Sequence, residues 1–594
     1  MTLIYKAPLR DMRFVMDEWL DAAAWWREVP DWQDLDSPTA QQVLEEAARF
    51  VEERIAPLNA SADLEGCHFE AGTVTTPAGF RESYAEFVAA GWPTLSLDPE
   101  HGGQGLPQLL DVALQEMLAG ANHAWLMSPG LTHGATACLQ TYGSERVKRE
   151  LLPKVASGEW LSTMCLTEPQ AGSDVGLIRS RATEAPGTDG YFIDGSKIFI
   201  SGGAHDLTEN IVHLVLARLP DAPPGTKGLS LFVVPEWLDG SDAGRSRNGV
   251  YCEGIEKKMG LKGSPTCTMR FERAFGWLVG EPHRGLTCLF VMMNAARLQV
   301  AMQGLGHAQS AWQRAHAYAQ ERRQMRALSV PPGATVAPGQ TSPIAFHPAM
   351  RRILMELRAV AEGERAIGYW TAHWLDIAAR HADAAERENA AQLASLLTPI
   401  VKAFFTANGF AAASNALQVF GGYGYIHEYG IEQTLRDSRV SMLYEGTNEI
   451  QAIDLLVRKV LPDGARALDL LLRHMRAEAG LCRESDPLVR CAGVKLDELA
   501  QTVERTTQAL KARQAQDPET AYRVADDYLA MLGWMLLAFA WARTLRIATP
   551  QRDTDAFYAE KQETGRFFFD YPLAAFAYRR SLVEAGCEAA LPFV

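Results

Sequence analysis

A chain of 594 residues is too long for one hydrophobic core, so about three or four domains or layers are expected. Apolar residues make up 47% and charged residues 22%, the balance of an ordinary soluble globular protein. The net charge of −15 argues against a protein held to nucleic acid by phosphate contacts or to an anionic membrane surface.

Residues 1–40 carry a heavy aromatic load, Phe14, Trp19, Trp25, Trp26 and Trp32. Phe14, Val15, Trp19 and Leu20 share one helix face, which predicts packing onto another domain or subunit. The first residues, MTLIYKAPLRDMRF, have no apolar core, so no signal peptide is expected. Residues 38–60 read as an amphipathic helix ending near Pro57. From about 80 to 160 the pattern is helical and broken by turns, with buried helices at 108–120 and 131–140. The break SLDPEHGGQGLP at 96–107 lacks the Gly-Lys-Ser/Thr of a phosphate loop and reads as a structural turn.

Near residue 160 the texture changes. Residues 190–202, GYFIDGSKIFISG, give two β-type runs around Asp194-Gly195, a hairpin signal. Residues 213–219, 228–235 and 267–272 also read as strands. From 286 the helical period returns in a long run to Arg326. A Pro/Gly-rich loop covers 327–343, and helices recur at 347–380, 386–415 and 448–460. Antiparallel helices of this length build a four-helix bundle. Beyond 465 the chain is mostly helical, with no chemical motif.

The expected fold class is α+β multidomain. An N-terminal helical domain with an aromatic-rich extension covers 1–160 and a central β-barrel or sandwich 161–285. A C-terminal four-helix bundle covers 286–464 and an extra C-terminal helical domain 465–594. The nine cysteines are scattered, with no CxxC pair, which fits neither a zinc site nor a disulfide framework. Reduced thiols, no apolar run of about 18 residues to span a membrane, and a cytoplasmic location are expected.

The stretch SMLYEGTNEIQ, 441–451, sets one carboxylate, Glu445, between apolar Met442, Leu443 and Tyr444 and a Gly. Gly446 tolerates φ > 0. Thr447 suits the N-cap of a helix whose apolar face is Ile450, Ile453, Leu456 and Val460. Glu445 is therefore expected to project from a tight bend just before a helix. Apolar neighbours disfavour its ionised form, moving it from about 4.3 toward the value a general base needs. On residue type alone a solvated loop carboxylate is the simpler reading.

Three motifs change that balance. The stretch 441–451, STMCLTEPQAGSD at 162–174 and QVFGGYGY at 418–425 together resemble the acyl-CoA dehydrogenase family, in the family's order and over about residues 40–460. The terminal extensions resemble a long branch that includes the 3-methylmercaptopropionyl-CoA dehydrogenases. The resemblance implies 2,3-desaturation of an acyl-CoA thioester with FAD as cofactor and an electron-transfer flavoprotein as electron acceptor. It also implies a homodimer or homotetramer, and the net charge adds the expectation of no nucleic-acid or membrane partner. Within it stand two alternatives, a medium- or long-chain acyl-CoA dehydrogenase and an acyl-CoA oxidase. From another class stands a flavin-bearing, DNA-associated protein, which an intact Glu445 and the net charge disfavour.

The resemblance also assigns roles. Glu445 matches the base that removes the C2 proton, and its N–H, beside Gly446, matches a donor to the thioester carbonyl. A second branch carries its base on the helix of Arg297, at the position of Ala296 here, which has no carboxylate. Met164, Leu166 and Thr167 match the strand that binds the isoalloxazine pyrimidine, and Ser173 a residue on pyrophosphate or CoA. Phe199 and Ser201 match an aromatic residue on the flavin face and a hydroxyl near N5. Relatives often have Trp and Thr there, and strand alternation alone explains both.

Arg322 matches the Arg that pairs with the pyrophosphate. The Phe usual three residues later is Met325. Gln418, Gly421 and Gly422 match the loop that approaches the dinucleotide, Thr447 a contact to the ribityl chain, and Glu449 a neighbour of the flavin. Arg297 and Asn294 match residues at the CoA entrance, the latter where many relatives have Asp. A helix-surface ion pair is the competing reading of Arg297.

Overall fold

The computed structural model describes residues 5–240, 244–337, 339–462, 464–588 and 592. Two compact units form. One contains the described parts of Met1–Ala48, Val112–Gly120 and Val300–Val594, and the other Arg49–Asp111 and Ala121–Gln299.

In the second unit a seven-stranded sheet supplies the β layer. Thr266–Val279 pairs with Tyr191–Ser201 and with Leu229–Pro235, and Leu229–Pro235 pairs with Ile211–Arg218. Arg181–Glu184 bridges Tyr191–Ser201 and Ile211–Arg218, so the pairing closes on itself. Leu161–Cys165 adds a parallel edge alongside Ile211–Arg218. Alternation sorts Ile211–Arg218 between two cores. Val212, Leu214 and Leu216 pack with Leu229, Leu231 and Val233, while Val215 and Ala217 pack with Phe232 and Val234.

The hairpin expected at Asp194-Gly195 does not form; Tyr191–Ser201 is one strand. Asp194 Oδ1 accepts the Arg273 N–H at 2.8 Å, beside an irregularity in the register with Thr266–Val279. A Cβ at Gly195 would lie 2.3 Å from Ser180 Oγ. The glycine serves close approach, not a turn. The two buried helices expected within 108–140 are one helix, Gln108–Tyr142, broken at Asn122 (φ −159°, ψ 88°). Asn122 Oδ1 accepts the Trp125 N–H at 3.1 Å and so caps the second half internally.

In the first unit Pro348–Arg380 and Ala384–Phe420 form an antiparallel pair, with Asp383 capping the second helix through the Ala385 N–H. Gly304, on the helix Gly285–Glu321, approaches Ala384–Phe420 so closely that a Cβ would lie 2.5 Å from the Phe405 carbonyl carbon. That long helix stops at Glu321, short of the expected Arg326. The short helix Ile431–Ser438 has no strong sequence signal.

Among the described residues five further α-helices follow, from Arg466–Leu481 to Ala574–Glu588, around the buried Thr520–Ala548. Phe14 and Trp19 pack against them, whereas Trp25 meets Trp32 and His373 of Pro348–Arg380. Trp19 Nε1 donates to the Ala540 carbonyl at 3.3 Å, and its ring meets Phe539 edge-on at 5.5 Å.

Among the described residues three helices are long and apolar enough to cross a membrane by length and composition, which corrects the expectation that no run reaches that length. In the fold the apolar windows of Ala384–Tyr425 and Thr520–Gln551 are 78% and 83% buried. All nine cysteines are free, and Cys491 is exposed.

Candidate active site

The Glu445 loop lies in the first unit. Thr447 caps the helix Asn448–Ile453 through the Ile450 N–H at 3.4 Å, as its spacing implies. Glu445 is half-buried. Gly446 has φ +84°, and Glu445 itself has φ +54°, uncommon for a residue with a Cβ. Gln451 Nε2 donates to the carbonyls of Glu445 and Gly446 at 3.0 and 3.3 Å. The buried Lys402 ammonium donates to the Gly446 carbonyl at 2.8 Å. Before the bend, the Tyr444 hydroxyl bonds Gln303 Oε1, which also accepts from Ser441. Burial raises the Tyr444 phenol above its ordinary value, so it stays a neutral donor. Glu449 is exposed in the first helical turn.

The same unit holds a groove of about 690 Å³, within the size range of cofactor sites. Arg322, Gln418, Gly421 and Gly422 meet in its lining, with Tyr318 and Phe420 stacked at 4.2 Å. The Arg322 guanidinium lies 5.1 Å from the Tyr423 ring centre. A Cβ at Gly421 or Gly422 would meet nothing within 4 Å, so the wall is open there. Met325 has φ +55° and is 76% exposed at the lip.

In the second unit the strand Leu161–Cys165 carries Met164 and leads into Leu166 and Thr167, all half-buried. The Thr167 carbonyl accepts the Ile198 N–H at 2.9 Å, which ties this segment to the strand bearing Phe199 and Ser201. Phe199 has φ +59° and is 60% exposed, so simple strand alternation does not describe it. Ser201 is half-buried, and Ser173 is exposed. Arg297 is 5% exposed, so its side chain is buried within the fold and does not lie on a helix surface. Ala296 is buried, and the side chain of Asn294 lies outside the described residues.

Sequence reasoning passed over two supporting residues here. Glu168 accepts from Lys197 Nζ at 2.8 Å, Ser180 Oγ at 2.6 Å and the Arg179 N–H at 2.8 Å. Lys197 Nζ also donates to the Leu166 carbonyl at 3.0 Å. Burial opposes ionisation of Glu168, but the Lys197 charge and these hydrogen bonds hold it down to about 2. The pair fixes the backbone of 166–168. Glu168 lies just past the strand Leu161–Cys165 and Lys197 within Tyr191–Ser201, so strand alternation alone marks neither.

The family descriptions Acyl-CoA dehydrogenase N-terminal domain, middle domain and C-terminal domain match residues 37–159, 163–274 and 334–460. Acetyl-CoA dehydrogenase C-terminal like matches 472–593. The chain is 41% identical over 544 residues to the 3-methylmercaptopropionyl-CoA dehydrogenase of Ruegeria pomeroyi, covering 91% of this chain and 90% of that one. The chain belongs to the acyl-CoA dehydrogenase family.

This acyl-CoA dehydrogenase is also 34% identical to the broad-specificity linear acyl-CoA dehydrogenase FadE5 of Mycobacterium tuberculosis, over 98% and 97% of the two chains. Its fold resembles Caenorhabditis elegans ACDH-11 in complex with C11-CoA, at TM-score 0.79 and 18% identity over 96% and 92% of the chains. It also resembles a Bacillus anthracis acyl-CoA dehydrogenase complexed with FAD, at TM-score 0.71 and 19% identity over 95% and 91%. The enzyme is an FAD-dependent oxidoreductase acting on the CH–CH bond of an acyl-CoA. Within the first unit the residues present fit the dinucleotide end of that cofactor: an open glycine wall and a guanidinium in the same groove lining.

Proposed function

We propose that Glu445 is the general base of a 2,3-desaturation whose preferred substrate is a short thioether acyl-CoA such as 3-methylthiopropanoyl-CoA. The observation that carries the base is its bend: two successive left-handed residues, held at both carbonyls, at the start of a capped helix. A held backbone presents the carboxylate with little reorganisation, which is how positioning contributes to rate. Glu445 takes the C2 proton, and its own N–H polarises the thioester carbonyl where enolate charge develops. FAD, when bound, accepts the hydride that leaves C3.

With FAD bound, Met164, Leu166 and Thr167 would hold the flavin pyrimidine edge, Phe199 and Ser201 its face and N5 side, Thr447 its ribityl chain, and Glu449 would neighbour the flavin. Arg322, Gln418, Gly421 and Gly422 take the dinucleotide end. Ser173, Asn294 and Arg297 serve the CoA side. Support for the thioether comes from the 41% identical relative; the broad-specificity relative makes linear acyl-CoAs the comparison set. An electron-transfer flavoprotein accepts the two electrons, and the enzyme works in the cytoplasm as a homodimer or homotetramer.

The test is turnover of acyl-CoAs of graded length, one a 3-thioether, with a dye acceptor. The thioether is expected to give the highest kcat/KM, and Glu445→Gln to lose at least ~10²-fold in kcat with FAD retained. Near-normal turnover by Glu445→Gln would remove the base assignment, and a flat or long-chain profile would remove the substrate.

A further inference from the structure

Lys402 sits in the middle of the apolar helix Ala384–Phe420 with no solvent exposure. Burying an ammonium costs several kcal/mol unless its donors are satisfied. Here Nζ donates to the Gly446 carbonyl at 2.8 Å and to Asn448 Oδ1 at 3.1 Å. Asn448 is itself fixed, because its Nδ2 donates to the Ala403 carbonyl and to Thr406 Oγ1, both at 3.1 Å. One turn of the helix, 402–406, therefore grips the residues that follow Glu445.

The bend needs such a grip. A residue with a Cβ in the left-handed region is strained, and such a conformation persists only where its surroundings over-determine it. Glu445 carries that strain at φ +54° and is followed by Gly446 at φ +84°. Packing alone does not require a lysine at position 402, since the helix around it, from Leu396 to Phe405, is otherwise buried and mostly apolar.

We infer that Lys402 is a positioning residue for proton abstraction: its ammonium holds the peptide after Glu445 so that the bend keeps the base presented. The inference rests on Glu445 being the base. Lys402 touches the loop backbone and acts through Glu445.

The test uses FAD-loaded Lys402→Met and Lys402→Gln, alone and with Glu445→Gln. For Lys402→Met, kcat is expected to fall by ~10²-fold, the scale of an ångström-sized misplacement. KM should move by less than about threefold. The C2-deuterium isotope effect on kcat should rise, since proton transfer becomes more rate-limiting. Lys402→Gln keeps an amide donor and should recover part of the loss. In the Glu445→Gln background, either substitution should add less than about twofold, because the two residues act as a unit.

Wild-type kcat in Lys402→Met, or the same loss with and without Glu445, overturns the inference. So does a Lys402 variant that loses FAD or melts before assay, which would assign the residue to the folding core. A fully active Glu445→Gln alone would instead overturn the reading of the base.

Discussion

Arg365 Nη2 lies 2.6 Å from Glu116 Oε1, and neither side chain has any solvent exposure. Arg365 Nε donates to the same oxygen at 2.9 Å, Nη2 also donates to Gln309 Oε1 at 2.8 Å, and the Tyr369 hydroxyl donates to Glu116 Oε2 at 2.7 Å. The Glu116 charge holds the Arg365 guanidinium firmly protonated against the opposing effect of burial. Removing one partner of such a pair leaves a buried charge alone, at a cost of about 3–5 kcal/mol. Arg365→Met should therefore destabilise the protein by that amount in denaturant unfolding. Arg365→Met with Glu116→Leu should lose much less than the sum of the single changes. Additive losses would mean that the two groups are not coupled.

Glu168 sets an acid limit on the β unit. Its carboxyl is held down to about 2 against an ordinary 4.5, so the folded state favours the ionised form. The linked stability, of order 3 kcal/mol, is complete above the ordinary value and is lost as pH falls through 4.5 toward 2. Stability measured across that window should fall more steeply in the wild type than in a Glu168→Gln/Lys197→Met variant. Parallel acid limbs would show that the pair contributes nothing there.

Much of this was legible in the sequence, and the failures have a common cause. Thr447 and Gly446 announce the bend through capping and backbone chemistry, which are local. The hairpin at Asp194-Gly195 misleads because the same dipeptide also suits a bulged strand whose glycine must pass Ser180, and only the neighbouring strand decides. Lys402 and Lys197 are invisible to periodicity, since each is a charge inside an apolar run and its partners lie far along the chain. The helix windows of membrane-spanning length follow from the same ambiguity, because a core helix and a membrane helix share one composition. The positive φ at Phe199 has no signal in residue type at all.

The groove makes Arg322 answerable. Its guanidinium lines the groove beside Tyr423, and the wall is open at Gly421 and Gly422. Arg322→Ala should lower the flavin:protein ratio after gel filtration, with the melting temperature of the FAD-free protein nearly unchanged. Gly421→Val should do the same, with added strain from φ +60° at that position. A full flavin complement in both variants would remove the dinucleotide from this groove.

Phe199 separates folding from function in one side chain. It holds a left-handed φ of +59° while 60% of its surface is exposed, so in the isolated chain it gains little burial for its strain. Glycine would remove a backbone cost of about 1–2 kcal/mol and add an entropic cost of about 0.5–1 kcal/mol. Phe199→Gly should therefore leave the FAD-free protein equally stable or slightly more stable. If the ring exists to lie on the flavin, the same variant should release FAD faster and lose the fluorescence quenching that an adjacent aromatic ring gives. Phe199→Leu keeps the strain and loses the ring, so it should match Phe199→Gly in flavin release but not in stability. Unchanged flavin release in both variants, with stability lost in Phe199→Gly, would place the ring in the service of the fold.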